Sequence, residues 1–413
     1  MLQPKSSCLN LTRRLMGVCF ALVAASFFLA TTSHPAQCQS FSVIHNFTGN
    51  DGSSPYAGPT LDRNGHVYGT TYAGGTQGAG SVYKLSLHGS SWLLSPLYSF
   101  SGEADGAGPG FGALAIGPDG TLFGTTEGGG IFGVAFNLGP RPTACASLLC
   151  PWIDNVIHTF GRSGDGSQPV NGVVFDSAGN LYGTLNIGGA GNNGAVFEMT
   201  KSGQTWNESL LYSFTGGNDG GTPVASVSLD AAGNLYGTTS FGGANGVGVV
   251  YKLTRSGSSW TETVLYTFQG GNDGQHPVAG VTVDQAGNLY GATFLGGANN
   301  GGTLYKLSPS GGSYTFTLLY SFPGFGGPYS TLTLANGTLY GATNRDGTFN
   351  DGSVFKLTPN GSGWTFTDLY DFTGSNDGNV PYGGVAVDAE GDVFGTTSEG
   401  GSNNDGVVWE ITP

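Results

Sequence analysis

Charged residues and cysteines are scarce in this sequence. Only 10% of the 413 residues are charged, and 13 Lys and Arg against 27 Asp and Glu give a formal net charge of −14. A surface of that sign repels phosphate backbones, so we expect no nucleic-acid partner. Three of the five cysteines lie in the first 38 residues, which leaves Cys145 and Cys150. Two close thiols without neighbouring histidines predict a small disulfide loop, because a zinc site needs three or four protein ligands.

The short motifs of common catalytic and metal sites are also missing. HExxH, GxSxG, a Walker loop and CxxC do not occur, and no loop matches the calcium-binding loop of EF-hands. Histidines are few after residue 38, and His45 and His158 replace Tyr in a recurring strand, which indicates packing. His276 is different, because it lies in an acid-rich loop three residues after Asp273. The sequence therefore favours a non-catalytic protein, with His276 as the one candidate for catalysis.

Long apolar runs are absent after the N-terminal segment. Lys5, Arg13 and Arg14 precede the apolar stretch 15–30, and a small, polar stretch ends at Cys38. This layout predicts a secretory signal peptide over residues 1–38. Its removal leaves 10 basic against 27 acidic residues, a net charge of −17. We therefore expect a secreted, periplasmic or cell-surface monomer without a transmembrane segment after cleavage.

Glycine and aromatic residues, in contrast, are abundant. The 76 glycines would destabilise helices, and they do not follow the three-residue period of collagen. Tyr, Phe, Trp and Val are frequent enough to argue against disorder. The composition is typical of an all-β protein with short strands and tight turns.

One phrase recurs along the chain. GNDGQHPVAGVTVDQAGNLYGAT at 271–293 nearly repeats GNDGGTPVASVSLDAAGNLYGTT at 217–239, and the aromatic-Gly step within it occurs seven times. Each unit of about 54 residues contains four strand-like runs separated by turn-forming residues, exemplified by 260–268, 277–284, 288–294 and 302–308. Seven units of four strands predict a seven-bladed β-propeller of four-stranded blades over residues 39–413.

The two ends of the repeat array are complementary. FSVIHNF at 41–47 is a fourth strand without the first three, and VVWEIT at 407–412 is a third strand without a fourth. We expect the N-terminal strand to complete the last blade and close the ring, which removes the exposed strand edges. The fourth residue of each inner strand is small, as crowding at the axis requires: Gly58, Gly112, Gly172, Ser226, Gly280, Thr331 and Gly384.

The repeated phrases GNLYGTT, GGANNGG, VYKLT and LYSFTGGNDG resemble the tandem repeat of the GloVer family. These are exported bacterial proteins named for a variable choice of surface anchor. The resemblance covers nearly all of 39–413 and implies export and a propeller-like array, without an established activity. It also leads us to look for a C-terminal sorting segment, which we do not recognise before Pro413.

Candidate binding residues come from the loop that enters each blade. Asp-Gly-x-x-Pro occurs in six units, and the sixth unit, PGFGGP, lacks the acid. These loops share a face with the amide-rich loops between strands two and three, and oxygen ligands of this kind suit calcium or the hydroxyls of a sugar. The alternative is that Asp-Gly only forms a turn. The candidate ligand-binding residues are Asp51, Asp105, Asp165, Asp219, Asp273, Asp377 and His276.

These observations favour a secreted, non-catalytic binding protein, whose partner is an extracellular glycan or protein. We expect no cofactor other than calcium. The first alternative is a lyase or hydrolase acting on polysaccharide, and the second is a purely structural ring. A second series of aspartates in DxxGN turns is interpreted as turn-capping: Asp62, Asp176, Asp230, Asp284 and Asp388.

Overall fold

The structure, a computed structural model, describes residues 39–139, 152–162, 164–324 and 326–413. The predicted signal peptide over 1–38 and the predicted disulfide between Cys145 and Cys150 lie outside these ranges. Within them the chain forms 29 strands and no helix. The described ranges accordingly contain no helix that could cross a membrane.

The strands form seven antiparallel sheets, and each sheet is one blade of a ring. Blade 1 is built from β2 (Thr60–Leu61), β3 (Val67–Thr71), β4 (Ser81–His88) and β5 (Ser91–Ser99). Blade 2 is built from β6 (Ala107–Pro109), β7 (Ala115–Ile116), β8 (Leu122–Gly128), β9 (Val134–Gly139) and β10 (Ile153–Thr159). Blade 3 is built from β11 (Val174–Phe175), β12 (Leu181–Leu185), β13 (Ala195–Ser202) and β14 (Thr205–Ser213).

The remaining blades repeat this order. Blade 4 is built from β15 (Ser228–Leu229), β16 (Leu235–Thr239), β17 (Val249–Ser256) and β18 (Ser259–Thr267), and blade 5 from β19 (Thr282–Val283), β20 (Leu289–Thr293), β21 (Thr303–Ser310) and β22 (Ser313–Ser321). Blade 6 is built from β23 (Thr333–Ala335), β24 (Thr338–Thr343), β25 (Ser353–Asn360) and β26 (Gly363–Asp371). Blade 7 is built from β27 (Ala386–Val387), β28 (Val393–Thr397), β29 (Val407–Thr412) and β1 (Ser40–Asn46). The predicted seven-bladed β-propeller is confirmed.

The N-terminal strand closes the ring as predicted. β1 pairs antiparallel with β29, from Ser40 opposite Thr412 to Asn46 opposite Val407, with one bulge after Val43. The last sheet therefore has the order β1-β29-β28-β27. Its outer strand comes from the beginning of the described chain and its three inner strands from the end, so this seam joins the two ends.

The innermost strands are shorter than the sequence indicates. In blade 5 the predicted strand 277–284 pairs with its neighbour only at Thr282–Val283. Neighbouring inner segments approach closely at the axis, so that a Cβ on Gly112 would overlap the backbone nitrogen of Gly172. The inner carbonyls instead accept hydrogen bonds from the preceding blade, as Ala279 does from the Thr238 hydroxyl at 2.9 Å. Contacts between blades thus replace part of the sheet ladder.

The core lies between neighbouring blades. Tyr182 of blade 3 packs against Trp260 of blade 4, with ring centroids 6.2 Å apart, within a cluster of buried residues from both blades. The strand-two aromatics therefore fill the space between blades, as the sequence predicts. The glycine that follows each of them is also required, because a Cβ on Gly237 would overlap the hydroxyl of Tyr251 on strand three.

Candidate functional site

The six predicted aspartates lie at one end of the ring, which we call the entry face, where each chain segment enters a new blade. Each carboxylate is bonded within its own entry loop. Asp219 accepts hydrogen bonds from the Tyr212 hydroxyl at 3.0 Å and from the Thr215 amide at 2.8 Å. The same arrangement recurs at Asp51, Asp105, Asp165, Asp273 and Asp377. These aspartates cap their loops, which stabilises the turn.

Two histidines take part in this capping. His45 Nε2 lies 2.9 Å from Asp51, and His158 Nε2 lies 3.2 Å from Asp165. Burial lowers the pKa of both imidazoles, although the neighbouring carboxylate acts in the opposite direction. Their replacement of Tyr therefore preserves a hydrogen bond as well as packing, a role that the sequence analysis missed.

The structure does not bring the six carboxylates together with one another. In the part of the chain that it describes, no group of three or more His, Cys, Asp and Glu side chains is arranged to hold a metal ion. Each of the six carboxylates is instead bonded at its own entry loop. The aspartates of the DxxGN turns, on the opposite face, are also bonded within their own blades. Asp230 accepts hydrogen bonds from the amides of Ala232 and Asn234 and from the Tyr236 hydroxyl.

His276 is oriented by a partner that the sequence did not reveal. Its Nδ1 lies 2.9 Å from the carbonyl oxygen of Ser240. Because a carbonyl oxygen can only accept a hydrogen bond, Nδ1 carries a proton. In the neutral imidazole, Nε2 is then a hydrogen-bond acceptor. The ring also packs edge-on against Phe241 at 4.9 Å. The backbone at His276 has a positive φ of 51°, as at Ser54 and Thr222 in the corresponding loops. The backbone conformation therefore repeats between blades, whereas the imidazole is particular to blade 5.

An aromatic cluster lies around the axis at the entry face. The rings of Tyr56 and Tyr382 are 5.3 Å apart, those of Tyr329 and Tyr382 are 5.2 Å apart, and Phe111 lies 5.9 Å from Tyr329. These four residues, which we call the axial cluster, come from blades 1, 2, 6 and 7, and each is partly exposed. Blades 3, 4 and 5 carry valine after the entry-loop proline: Val170, Val224 and Val278. The cluster therefore breaks the sevenfold repeat at the axis.

Polar groups border the axial cluster. Tyr72, at the end of β3, lies 5.2 Å from Tyr56, and burial together with the charge and hydrogen bond of Glu127 raises the pKa of Tyr72. Burial and the nearby Tyr382 and Glu399 raise the pKa of Tyr56. The tyrosines thus remain neutral hydrogen-bond donors beside two carboxylates at physiological pH.

A cavity of about 520 Å³ extends along the axis from this cluster. The inner segments of all seven blades line it, and Phe111, Tyr329 and Tyr382 contribute to its wall. Hydroxyl groups of its wall bond to neighbouring blades, as Ser228 does to the carbonyl oxygen of Val281 and Ser226 to that of Gly172. The wall is therefore largely apolar, and the polar groups that could fix a ligand lie at the entry-face rim.

Three acids are buried between neighbouring blades, outside the axial region. Asp154, Glu208 and Glu262 occupy equivalent positions in the outer strands of blades 2, 3 and 4. Burial, followed by the charge of the aspartate in the loop that enters the same blade, raises the pKa of each to about 7. One oxygen of each has no hydrogen-bond partner among the described residues. Blades 5, 6 and 7 place a phenylalanine here that stacks on a tyrosine: Phe316, Phe366 and Phe41.

The ring, its closure and the axial cluster define a β-propeller built from tandem repeats, with its non-repeating aromatic residues gathered at the axis. The chain belongs to the Gloeobacter/Verrucomicrobia repeat family, whose model matches residues 33–226, 152–327 and 230–413. The family match confirms the resemblance of the repeated phrases to the GloVer repeat.

Solved structures are similar to the chain at low sequence identity. A proposed 6-phosphogluconolactonase from Bacteroides uniformis ATCC 8492 has a TM-score of 0.50 and 13% identity, covering 76% of this chain and 83% of that one. A protein of unknown function from Dyadobacter fermentans DSM 18053 has a TM-score of 0.42 and 13% identity, covering 79% and 96%. The similarity to the Bacteroides uniformis protein concerns the fold alone. No curated protein matches the chain.

Proposed function

We propose that this protein is an exported, non-catalytic propeller that binds carbohydrate at the axial cluster of its entry face. Partly exposed aromatic rings offer apolar surfaces for the CH faces of a sugar, and the tyrosines among them add hydroxyl groups that can hydrogen-bond. Glu127 and Glu399 beside Tyr72 and Tyr56 supply acceptors for sugar hydroxyls. An apolar site with a few convergent polar groups is the usual design of a small-molecule pocket.

One observation carries this proposal. Valine occupies the position after the entry proline in three blades, so folding does not require an aromatic ring there. Blades 1, 6 and 7 nevertheless carry tyrosine at this position, and Phe111, one residue further on in blade 2, meets these tyrosines at the axis. The capping aspartates, in contrast, are explained by the turns that they stabilise. We therefore assign ligand binding to the axial cluster in preference to Asp51, Asp105, Asp165, Asp219, Asp273 and Asp377.

The test is a glycan-array screen of the exported protein, with calcium and with chelator, followed by calorimetry on the best ligand. Tyr382→Val and Tyr329→Val copy the residue of blades 3 to 5, so we expect both variants to fold normally. We expect each to weaken binding by about tenfold or more, because a lost aromatic contact of about 1.5 kcal/mol corresponds to that factor. Phe349→Ala is the matched control, because Phe349 is an exposed aromatic (54%) in a loop of blade 6. Equal binding by the valine variants, or no glycan bound at all, would refute the proposal.

The orientation of His276 supports one catalytic alternative. With Nδ1 bonded to Ser240, Nε2 could accept a proton from a polysaccharide substrate. A lyase or hydrolase of this kind would release shortened sugars from the glycan that the screen identifies. Activity that is lost in His276→Ala would favour the enzyme, whereas unchanged binding without product would favour the non-catalytic protein.

A further inference from the structure

Blade 2 departs from the repeat at the entry face. The connection between strands two and three is shorter here: residues 127–133 separate Thr126 from β9, two fewer than residues 240–248, which separate Thr239 from β17 in blade 4. The tip of this short loop carries Ile131 and Phe132, in contrast to the glycine, alanine and asparagine of most other blades. Both side chains are solvent-exposed, Ile131 by 49% and Phe132 by 56%. Large apolar side chains on a loop tip cost solubility and mark a candidate contact surface.

These residues form one wall of a groove of about 490 Å³, which we call the radial groove. Tyr72, whose ring contacts Tyr56 of the axial cluster, lines it together with the polar residues Glu127 and Gln168 and the apolar residues Ile131 and Phe132. The backbone of Phe132 is fixed, because its amide donates to the carbonyl of Phe160 and its carbonyl accepts from the amide of Gln168. The groove therefore presents its apolar tip on a hydrogen-bonded frame.

The radial groove is continuous with the axial cluster. Tyr72 lines the groove and its ring lies 5.2 Å from that of Tyr56. Aromatic or apolar surface thus extends outward from the axis over Tyr72 to Phe132, with Glu127 beside it. A single sugar would occupy only the axial end of this surface.

The charges and strand pairing indicate which polymer fits. No Lys or Arg is among the residues that line the radial groove, whereas Glu127 is, so a polyanion would be repelled. A peptide bound by strand addition needs an open strand edge. β8, which runs into this loop, is paired on both sides, with β6 and β7 on one side and β9 on the other. At the edge strand β6, which lines the groove, the Gly108 amide already donates to the carbonyl of Ala79. Stacking surfaces and hydrogen-bond acceptors without cations suit an uncharged chain rich in hydroxyl groups.

We infer that the radial groove extends the axial site, and that the ligand is a linear, neutral polysaccharide whose chain runs from the axis over Tyr72 to Phe132. This inference rests on the proposed carbohydrate binding. The protein would then recognise internal stretches of a polymer, with affinity that grows with the number of sugar units along the groove.

The experiment is a chain-length series measured by calorimetry on the exported protein. The probes are neutral gluco-oligosaccharides of two to six units, with β-1,4 and β-1,3 linkages tested separately, and oligogalacturonides of equal length as anionic counterparts. We expect the affinity for neutral probes to rise with length. In Phe132→Ala the shortest probe should bind as in the wild type, whereas the longest should lose about tenfold in affinity, the factor that corresponds to one lost stacking contact. Phe349→Ala, at the corresponding loop of blade 6, should behave as the wild type throughout.

Each outcome separates the two proposals. Binding of short probes that depends on Tyr382, with no gain for longer ones and no effect of Phe132→Ala, would overturn the radial groove while leaving the axial site in place. Stronger binding of oligogalacturonides than of neutral probes would overturn the assignment to a neutral polymer. Failure to bind any saccharide would refute the axial site and, with it, the extension.

Discussion

Removing the hydroxyl group of Tyr251 should stabilise this protein. The side chain is fully buried, and its hydroxyl has no hydrogen-bond partner among the described residues. The ring lies against Gly237, and the corresponding residues of blades 2 and 3 are Phe136 and Phe197, so this packing does not require the hydroxyl. An unsatisfied buried polar group costs about 1–3 kcal/mol. We therefore expect Tyr251→Phe to raise the free energy of unfolding by about 1 kcal/mol, because lost van der Waals contacts offset part of the gain.

Tyr212→Phe is the matched control. Its hydroxyl donates to Asp219 at 3.0 Å, and the side chain is partly exposed. Loss of this bond to a carboxylate should lower the free energy of unfolding by about 1 kcal/mol, at the low end for charged partners because solvent reaches the site. Urea denaturation followed by tryptophan fluorescence measures both variants, and an unchanged m-value would show that the unfolded states are comparable. If Tyr251→Phe lowers stability as Tyr212→Phe does, the hydroxyl has a partner and the reasoning is wrong.

Two further predictions concern the contacts between blades. Thr238→Val should lower the free energy of unfolding by about 1 kcal/mol in urea denaturation, because it removes the bond to the Ala279 carbonyl. Thr70→Val should not lower the free energy of unfolding, because the Thr70 hydroxyl is buried without a partner in the described part of the chain. Equal losses of stability in the two variants would contradict this reasoning. The second prediction concerns pH. The carboxyl group of Glu262 has a pKa of about 7 in the folded protein, against an ordinary value of 4.5. Between these two pH values the folded protein holds a proton that the unfolded chain releases. The free energy of unfolding should therefore fall as the pH rises from 4.5 to 7. Thermal unfolding across that range should show a weaker decline for Glu262→Gln, and an identical decline would exclude Glu262 as a source.

The repeat predicts most of the fold because the residues that form each blade are close in sequence. The turn residues, the strand-two glycine and the aromatic residue before it recur together, and each acts within one blade or against the next. The length of the inner strand could not be read in this way. Residues 277–281 have the alternation of a strand, but the close approach of neighbouring inner segments turns their hydrogen bonds toward the preceding blade.

The candidate site was less accessible to sequence analysis. The repeated Asp-Gly turn is conspicuous in the sequence and suggests a binding site. Its carboxylate instead accepts hydrogen bonds that stabilise the turn, as Asp219 does from Tyr212 and Thr215. Phe111 and Tyr329 meet only because the ring brings blades 2 and 6 to a common axis. A signal was nevertheless present, since the residue after the entry proline changes from Val278 to Tyr329 between adjacent blades. Departures from the repeat, rather than the repeat, identify this site.

The seam between β1 and β29 also sets an order of events in time. Within blades 1 to 6 each strand pairs with strands close to it in the chain. The seam instead joins residues as far apart as Ser40 and Thr412, whose hydroxyl groups lie 2.6 Å apart across 372 positions. Because contacts between distant residues form slowly, blades 1 to 6 can assemble while β1 waits unpaired for β29 to be synthesised. We therefore expect the seam to be the last part of the ring to form and the first to open.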